Sequence, residues 1–296
     1  GVMREGRAAT GFRTMGETMK KKLVALAAAV ATLALSAVML AGCSGGGDAQ
    51  QQGGDSGATD GAFTLTVGFD QGYPPYGYVG DDGQFTGFDL ELAKAVCEKM
   101  GWNLDLQAID WDAKDALIGS GTINCIWNGF TMEGREDKFT FSEPYMYNEQ
   151  VVVVKKDSDA KKLEDLAGKT VLTQVDSAAL HVLEDEKGQK PLADTFKELQ
   201  TIGDYNNAFM QLESGMVDAV ACDLSIASYQ MAAKPDAYVK LGVLAPENYA
   251  VGFKKGDTEL AQQVTDALKA LNEDGTVKQL CDKYADQGIT YDNWVL

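Results

Sequence analysis

The sequence predicts an α/β protein of two lobes joined by two crossing strands. Three observations lead there. Strand-like and helix-like patterns alternate from residue 63 to about residue 285. A valine run at 150–154 and a second β pattern at 249–253 bracket about a hundred residues, close to a usual domain size, so two crossings would enclose a second lobe. Glycine- and proline-rich loops follow several strand ends, where α/β proteins place their ligands.

Taken in order, the chain of 296 residues starts with a stretch that does not read as folded. Met19 is followed by three lysines and an apolar, alanine-rich run over residues 23–40, the basic head and greasy middle of a secretory leader. Met19 reads as the true start. The run closes on Leu40, Ala41, Gly42 and Cys43, which is similar to a bacterial lipobox. In that class of leader the cysteine is acylated and becomes the mature N-terminus. Residues 43–62 are almost without apolar side chains and rich in Gly and Ser, a flexible tether between lipid and domain.

Residues 63–67 alternate as a strand, and 68–78 form a Pro/Gly loop dense in aromatics. After a turn at 80–83, residues 90–100 carry a helical apolar face with Asp89 as a natural N-cap. Residues 103–109 read as a strand, and 111–117 open a helix. Residues 123–127 are a short apolar strand that breaks into Asn128, Gly129, Phe130 and Thr131, where backbone can approach a ligand. Arg135 follows. Its planar fork of donors fits a carboxylate bidentately, although Glu133, Glu136 and Asp137 also make it a plausible surface cation in a charged turn. Beyond the valine strand come a short helix at 161–166, a strand at 169–174, and a helix to about 186 capped by Asp176 and Ser177. A strand at 196–202 and a helix at 206–214 closed by Gly215 follow. Then come a strand from 217 ending at Asp223, a helix at 224–233, strands at 238–241 and 249–253, and closing helices at 259–271 and 277–285. The alternation argues for parallel sheets.

The formal charge of −18 becomes −22 once residues 1–42, with six Lys/Arg against two acids, are removed. So acidic a surface argues against nucleic acid or anionic lipid headgroups as partners. Cys97, Cys125, Cys222 and Cys281 show no metal or redox spacing, and buried thiols are the default reading. No cofactor or metal is expected. Gly168, Lys169 and Thr170 lack the earlier glycine of a phosphate loop, and His181 reads as a helix-surface residue. Asp110 and Asp112 flank Trp111, but nothing else marks a sugar site.

Seven segments in order carry a resemblance: the loop of Tyr73, Pro74, Pro75 and Tyr76; residues 87–93; Trp111; the strand leading to Arg135; residues 141–145; residues 166–169; and residues 215–219. Together they resemble the family 3 extracellular solute-binding proteins of ABC importers for polar amino acids. The resemblance covers essentially everything from Phe63 on. It implies a two-lobed type II periplasmic-binding-protein fold with two hinge strands, divided as 63–149 (first lobe), 150–248 (second lobe) and 249–296 (return to the first). It also implies a free amino acid as ligand, an ABC permease as partner, a monomer, and an extracytoplasmic location anchored by lipid on Cys43.

Carried over, the resemblance puts Asp70 at the mouth beside the ligand side chain and has Tyr73 and Trp111 sandwich it. Asn128, Gly129 and Thr131 offer main-chain and hydroxyl groups, and Arg135 clamps the α-carboxylate. Gln174, Ser177 and Ala178 come from the second lobe, and Asp223 pairs with the α-ammonium. On composition alone, Tyr73 and Trp111 read first as core or rim aromatics, and Asp223 reads equally as a helix N-cap before Leu224. The spacing from Thr131 to Arg135 is one residue shorter than the family's, with Gly134 available to absorb it. A zwitterion needs one cation and one anion, which Arg135 and Asp223 supply. Asp70 and the acidic surface disfavour an acidic ligand side chain, and Gln174 suits a neutral polar one. The competing class is a secreted prephenate or arogenate dehydratase, which needs an acid in the cleft; Asp70 and Glu133 are the candidates.

The leader generates a direct expectation. Cys43→Ala should leave the precursor uncleaved or release the protein from the membrane; an unchanged mature mass in the membrane fraction of expressing cells would contradict the lipid anchor.

Overall fold

The computed structural model describes residues 61–296. The leader, Cys43 and the tether up to residue 60 lie outside the described residues.

In chain order the elements are β1 (Thr64–Phe69), β2 (Gly72–Tyr73), β3 (Gly77–Val79), β4 (Phe85–Thr86), α1 (Phe88–Met100), β5 (Asn103–Ala108), α2 (Lys114–Ser120), β6 (Cys125–Ile126), β7 (Phe139–Phe141) and β8 (Met146–Lys155). They continue as β9 (Thr170–Gln174), α3 (Ala178–Glu184), α4 (Lys190–Ala193), β10 (Glu198–Ile202), α5 (Tyr205–Ser214), β11 (Ala219–Asp223) and α6 (Leu224–Ala233). The last are β12 (Tyr238–Tyr249), β13 (Gly252–Lys254), α7 (Thr258–Glu273) and α8 (Thr276–Lys283).

Two five-stranded sheets carry the fold, in the orders β5-β1-β6-β13-β7 and β10-β9-β11-β8-β12, with β2, β3 and β4 forming a small third sheet. The sheets are mixed, not purely parallel as the strand–helix alternation suggests. In the first, β5 and β6 run parallel to β1 while β13 runs antiparallel to β6 and β7. In the second, β9 runs parallel to β10 and β11, while β8 is antiparallel to β11 and β12. The antiparallel members are the strands by which the chain changes sheet. It leaves the first sheet after β7, crosses as β8, builds the second sheet, and returns through β12 into β13. The fold is two-lobed, and β8 and β12 pair with each other from Tyr238 opposite Lys155 to Tyr249 opposite Met146.

That ladder corrects one sequence reading. The strand read at 238–241 is much longer: β12 runs unbroken from 238 to 249, and the strand read at 249–253 is the separate β13, which begins at Gly252. Gly242 and Pro246 disguise it. β12 is an edge strand, where a proline's missing N–H costs no ladder bond on the open side, and register shifts beside Gly242 and Leu244 absorb the irregularity. A second correction concerns α1. The residue that caps it is Gly87, and Asp89 lies inside the first turn with no solvent exposure. The short α4, opened by Pro191 in its first turn, has too few apolar residues to announce itself.

The cores follow from the patterns. Val151 and Val153 of β8 face one apolar cluster, whereas Val152 and Val154 face another on the opposite side of the same sheet. A strand buried on both faces has no alternation to read, which is why four valines in a row mark it. Cys97, Cys125, Cys222 and Cys281 are all buried and unpaired, acting as small apolar side chains within the core.

Candidate functional site

The residues singled out in the sequence converge where the carboxyl ends of the parallel strands meet, as open α/β sheets dictate. Asp70 and Tyr73 follow β1, Trp111 follows β5, and Asn128 to Arg135 follow β6. From the other sheet, Gln174 ends β9, Ser177 caps α3, and Asp223 ends β11. Ten of the eleven line one small cavity: Tyr73, Trp111, Asn128, Gly129, Thr131, Arg135, Gln174, Ser177, Ala178 and Asp223. Asp70 stands outside that lining. Its carboxylate accepts from Gln174 Nε2 at 2.7 Å and from the Gly72 N–H at 2.8 Å. Burial pushes its pKa up against those two donors.

Arg135 is the cation of the cavity. It is 3% exposed, and its guanidinium donates to the Thr131 carbonyl at 3.0 Å and the Asp176 carbonyl at 3.3 Å while lying 4.6 Å from the Phe130 ring centroid. Two of a guanidinium's five N–H donors are thus committed, neither to a carboxylate. The rest keep the fork available to an anion. Burial lowers its pKa, opposed by the charges of Glu247, Asp176 and Asp223 in that order. The short spacing from Thr131 is taken up by a turn in which Gly134 adopts φ +80°, and Arg135 still reaches the cavity.

Asp223 is the anion. Its side chain makes no cap bond to α6. Instead Oδ1 accepts from Asn148 Nδ2 at 3.0 Å and Gln150 Nε2 at 2.5 Å, both on β8. The N-cap alternative therefore applies to its backbone position and not to its carboxylate. Tyr73 and Trp111 are nearly buried, as the core reading has it, and they also line the cavity. The Lys114 ammonium lies 4.9 Å from the Trp111 ring centroid, and Tyr73 meets Tyr249 hydroxyl to hydroxyl at 3.3 Å.

Two groups expected to face a ligand are already engaged. The Gly129 N–H donates to Asp89 Oδ2 at 2.5 Å, and the Thr131 hydroxyl donates to Glu247 Oε1 at 2.7 Å. Gly129 itself is required: it has φ +56°, and a Cβ there would lie 3.1 Å from both Tyr73 and Tyr249. Ser177 accepts from the Leu180 N–H at 3.1 Å, which secures the start of α3.

Sequence reasoning missed four residues that build this site. Asp89 reaches from α1 to hold Gly129 and also accepts from the Tyr145 hydroxyl at 2.8 Å; burial pushes its pKa up to about 7. Glu247, on β12, accepts from Thr131, Asn148 and Gln150, and burial and then the Asp223 charge push it up to about 8. Lys114, nearly fully buried, crosses to Asp176 in an ion pair. Asp176 is the one non-glycine residue among those described with positive φ, at 54°. Its carboxyl is held low by His181, 3.2 Å away, and by Lys114. His181 is therefore bonded into the cleft edge and is more than a surface residue. A signal existed for Glu247 and its partners. Asn148 and Gln150 keep step with buried Met146 along a strand, and Glu247 keeps step with buried Tyr249, so period two puts all three polar groups inside.

The chain as a whole is similar to known proteins. Residues 65–287 match the family model described as bacterial extracellular solute-binding proteins, family 3. The chain is 29% identical over 284 residues to the L-cystine-binding protein TcyA of Bacillus subtilis, spanning 92% of this chain and 100% of that protein. It is 28% identical over 270 residues to the arginine-binding extracellular protein ArtP of the same organism, spanning 90% and 98%. Among solved structures it is similar to an ABC uptake transporter substrate binding protein from Streptococcus pneumoniae with bound histidine, with TM-score 0.73 and 34% identity over 77% of this chain and 94% of that one.

The two raised carboxyls fix a pH dependence of stability. A carboxyl whose folded pKa lies above its unfolded value favours the folded state at low pH, and that contribution is lost as pH rises through the folded pKa. For Asp89 and Glu247 the loss spans roughly pH 4 to 8. Urea unfolding at pH 5, 6.5 and 8 should show stability falling with rising pH, by at most about 1.4 kcal/mol per pH unit for each acid. Asp89→Asn should flatten the part of that slope below pH 7; an identical slope in the variant would contradict the assignment.

Proposed function

The chain belongs to the bacterial extracellular solute-binding proteins, family 3, and on that premise we propose that it captures a free polar amino acid between two closing lobes and delivers it to an ABC importer. One observation carries the reading. A buried guanidinium and a buried carboxylate, Arg135 and Asp223, face one closed cavity from different strand ends. Only a ligand bearing both charges complements them, and a free α-amino acid does. Asp223 lies on the second sheet and Arg135 follows a strand of the first, so the ligand's two ends bridge the lobes and favour the closed arrangement. The lobe boundaries follow as 63–149 with 249–296, and 150–248, inside the paired crossing strands.

In this reading Tyr73 and Trp111 flank the ligand, and its side chain points toward Gln174 and Asp70. Those two are bonded to each other, a hydrogen-bonding wall whose carboxylate disfavours an acidic side chain and whose amide suits a neutral polar one. Relatives named for cystine and arginine bracket the class. The protein works as a monomer held to the outer face of the membrane by lipid on Cys43, with the permease as its partner.

The dehydratase reading is weaker. It needs an acid poised to expel a leaving group, and both candidates are engaged. Asp70 is held by Gln174 and Gly72, and Glu133 by the backbone and side-chain nitrogens of Asn248, both at 2.9 Å. We therefore assign no catalytic residue.

Titration with ligand analogues tests the charge pair. Removing one partner leaves the ligand's opposite charge buried and unpaired, about 2–5 kcal/mol, or roughly thirty- to several-thousand-fold in affinity. Arg135→Ala should lose the preference for the free acid over the α-amide. Arg135→Lys should recover little. Asp223→Asn should lose the preference for the free amine over the N-acetyl form, and Trp111→Ala should weaken binding by roughly ten- to a hundredfold. If Arg135→Ala binds the free acid as tightly as wild type, the carboxylate is held elsewhere.

A further inference from the structure

Asp223 does not stand alone at its end of the cavity. Asn148 Nδ2 donates both to Asp223 Oδ1 at 3.0 Å and to Glu247 Oε1 at 2.7 Å. Gln150 Nε2 does the same at 2.5 and 2.6 Å. Two amide groups on β8 are thus shared between two acids, one ending β11 and one on β12, and the shared nitrogens hold the two carboxyls within a few ångströms of each other. Glu247 is 4% exposed and Asp223 5%. Two like charges so close and so poorly hydrated do not both ionise readily, so the pair retains a proton.

The groups around Glu247 come from each element packed on it. β8 contributes Asn148 and Gln150, β11 contributes Asp223, and its own strand contributes Tyr249. The loop after β6 contributes Thr131, whose hydroxyl donates at 2.7 Å, and Arg135, whose charge Glu247 supports more than any other acid does. The one cation in that set is the group the ligand's carboxylate is proposed to engage. A further observation is independent of the acids: Gln150 Oε1 is buried in the same cluster without a donor. An acceptor stranded there suits an added N–H donor.

We propose that Glu247 is the positioning residue of the ammonium subsite: through Asn148 and Gln150 it aims Asp223, through Thr131 it ties the crossing strand β12 to the opposite cavity wall, and it releases one proton to solvent when the ligand's ammonium docks. The inference rests on the amino-acid reading above. The ammonium keeps its own protons. Its charge takes the place of the one held between the two carboxyls, which leaves both ionised around a single cation. The ligand's carboxylate at Arg135 offsets that guanidinium's charge, so the ammonium becomes the pair's main counter-charge. Because Glu247 sits on β12, its contacts report cavity occupancy directly to a strand that joins the lobes.

Burial and the neighbouring Asp223 charge raise Glu247 to about 8, so below that pH the unliganded protein carries a proton that binding must expel. Affinity therefore rises with pH up to about 8 and levels off above it.

The test uses the purified full chain. The twenty standard L-amino acids and L-cystine are titrated by calorimetry at pH 8, and the tightest becomes the probe. Its affinity is then measured at pH 6, 7 and 8, and its binding enthalpy at pH 7 in phosphate and in Tris, which reads proton release. Wild type should weaken by about tenfold per pH unit below 8 and release close to one proton. E247Q should lose both the pH dependence and the release. A pH-independent wild type whose enthalpy is the same in both buffers overturns the inference while leaving the amino-acid reading intact; so does an unchanged pH profile in E247Q. Should E247Q fail to fold, the wild-type proton count decides alone. Binding of none of the ligands overturns the amino-acid reading and this inference together.

Discussion

A guanidinium taken out of water without a carboxylate to meet it is the constraint on which the rest of this site depends. Among the described residues Arg135 makes no ion pair, only hydrogen bonds to two carbonyls and a cation–π contact with Phe130. Carbonyl dipoles and a ring quadrupole hold a cation in place but do not neutralise it. The site is therefore built to be completed by an anion. It is built so from both sides: the Thr131 carbonyl belongs to the loop after β6 and the Asp176 carbonyl to the loop before α3, so Arg135 already spans the lobes. The Lys114–Asp176 ion pair and the Asp70–Gln174 hydrogen bond close the same seam from other directions. A ligand carboxylate at Arg135 would add charge complementarity to a seam that is already in register.

The opposite end of the cavity has the converse problem, too much negative charge in too little water. Asp223 and Glu247 share the amides of Asn148 and Gln150, and those four residues lie on β11, β12 and β8. Two of the three strands are the ones that cross between sheets. The acidic end of the cavity and the joint between the sheets thus share the same set of atoms. Asp89 plays the corresponding part on the first lobe. A buried acid at the start of α1 fixes the Gly129 backbone, and Tyr145, at the start of the crossing, donates to it as well.

Much of the fold was legible because its signals are local. The valine run of β8 marks burial on both faces, and the capping Ser177 and the glycine at 215, left-handed at φ 78°, mark helix ends. β12 was not, because Gly242 and Pro246 are tolerated only on an edge strand, and edge position is a property of the sheet. The cavity residues were named by the family resemblance, and Arg135 and Asp223 were legible also because each follows the end of an apolar strand. Their partners were less so. Asp89 reads as a cap because Asp near a helix start usually is one; that it turns inward depends on Gly129, forty residues away. Glu247 reads as a loop acid beside a proline until β12 is seen to be continuous and the period of two puts it inside with Tyr249. Lys114 and Asp176 carry no local sign of pairing, since their contact exists only when the lobes meet.

How the two ends of the ligand are held is the central question for this site. A crystal structure of the protein with its tightest-binding amino acid reads this directly. The account predicts both carboxylate oxygens within hydrogen-bond distance of the Arg135 guanidinium and the ammonium on Asp223, with Tyr73 and Trp111 on either side. A bound amino acid whose carboxylate lies away from Arg135, with the guanidinium still held only by the carbonyls of Thr131 and Asp176, would contradict it.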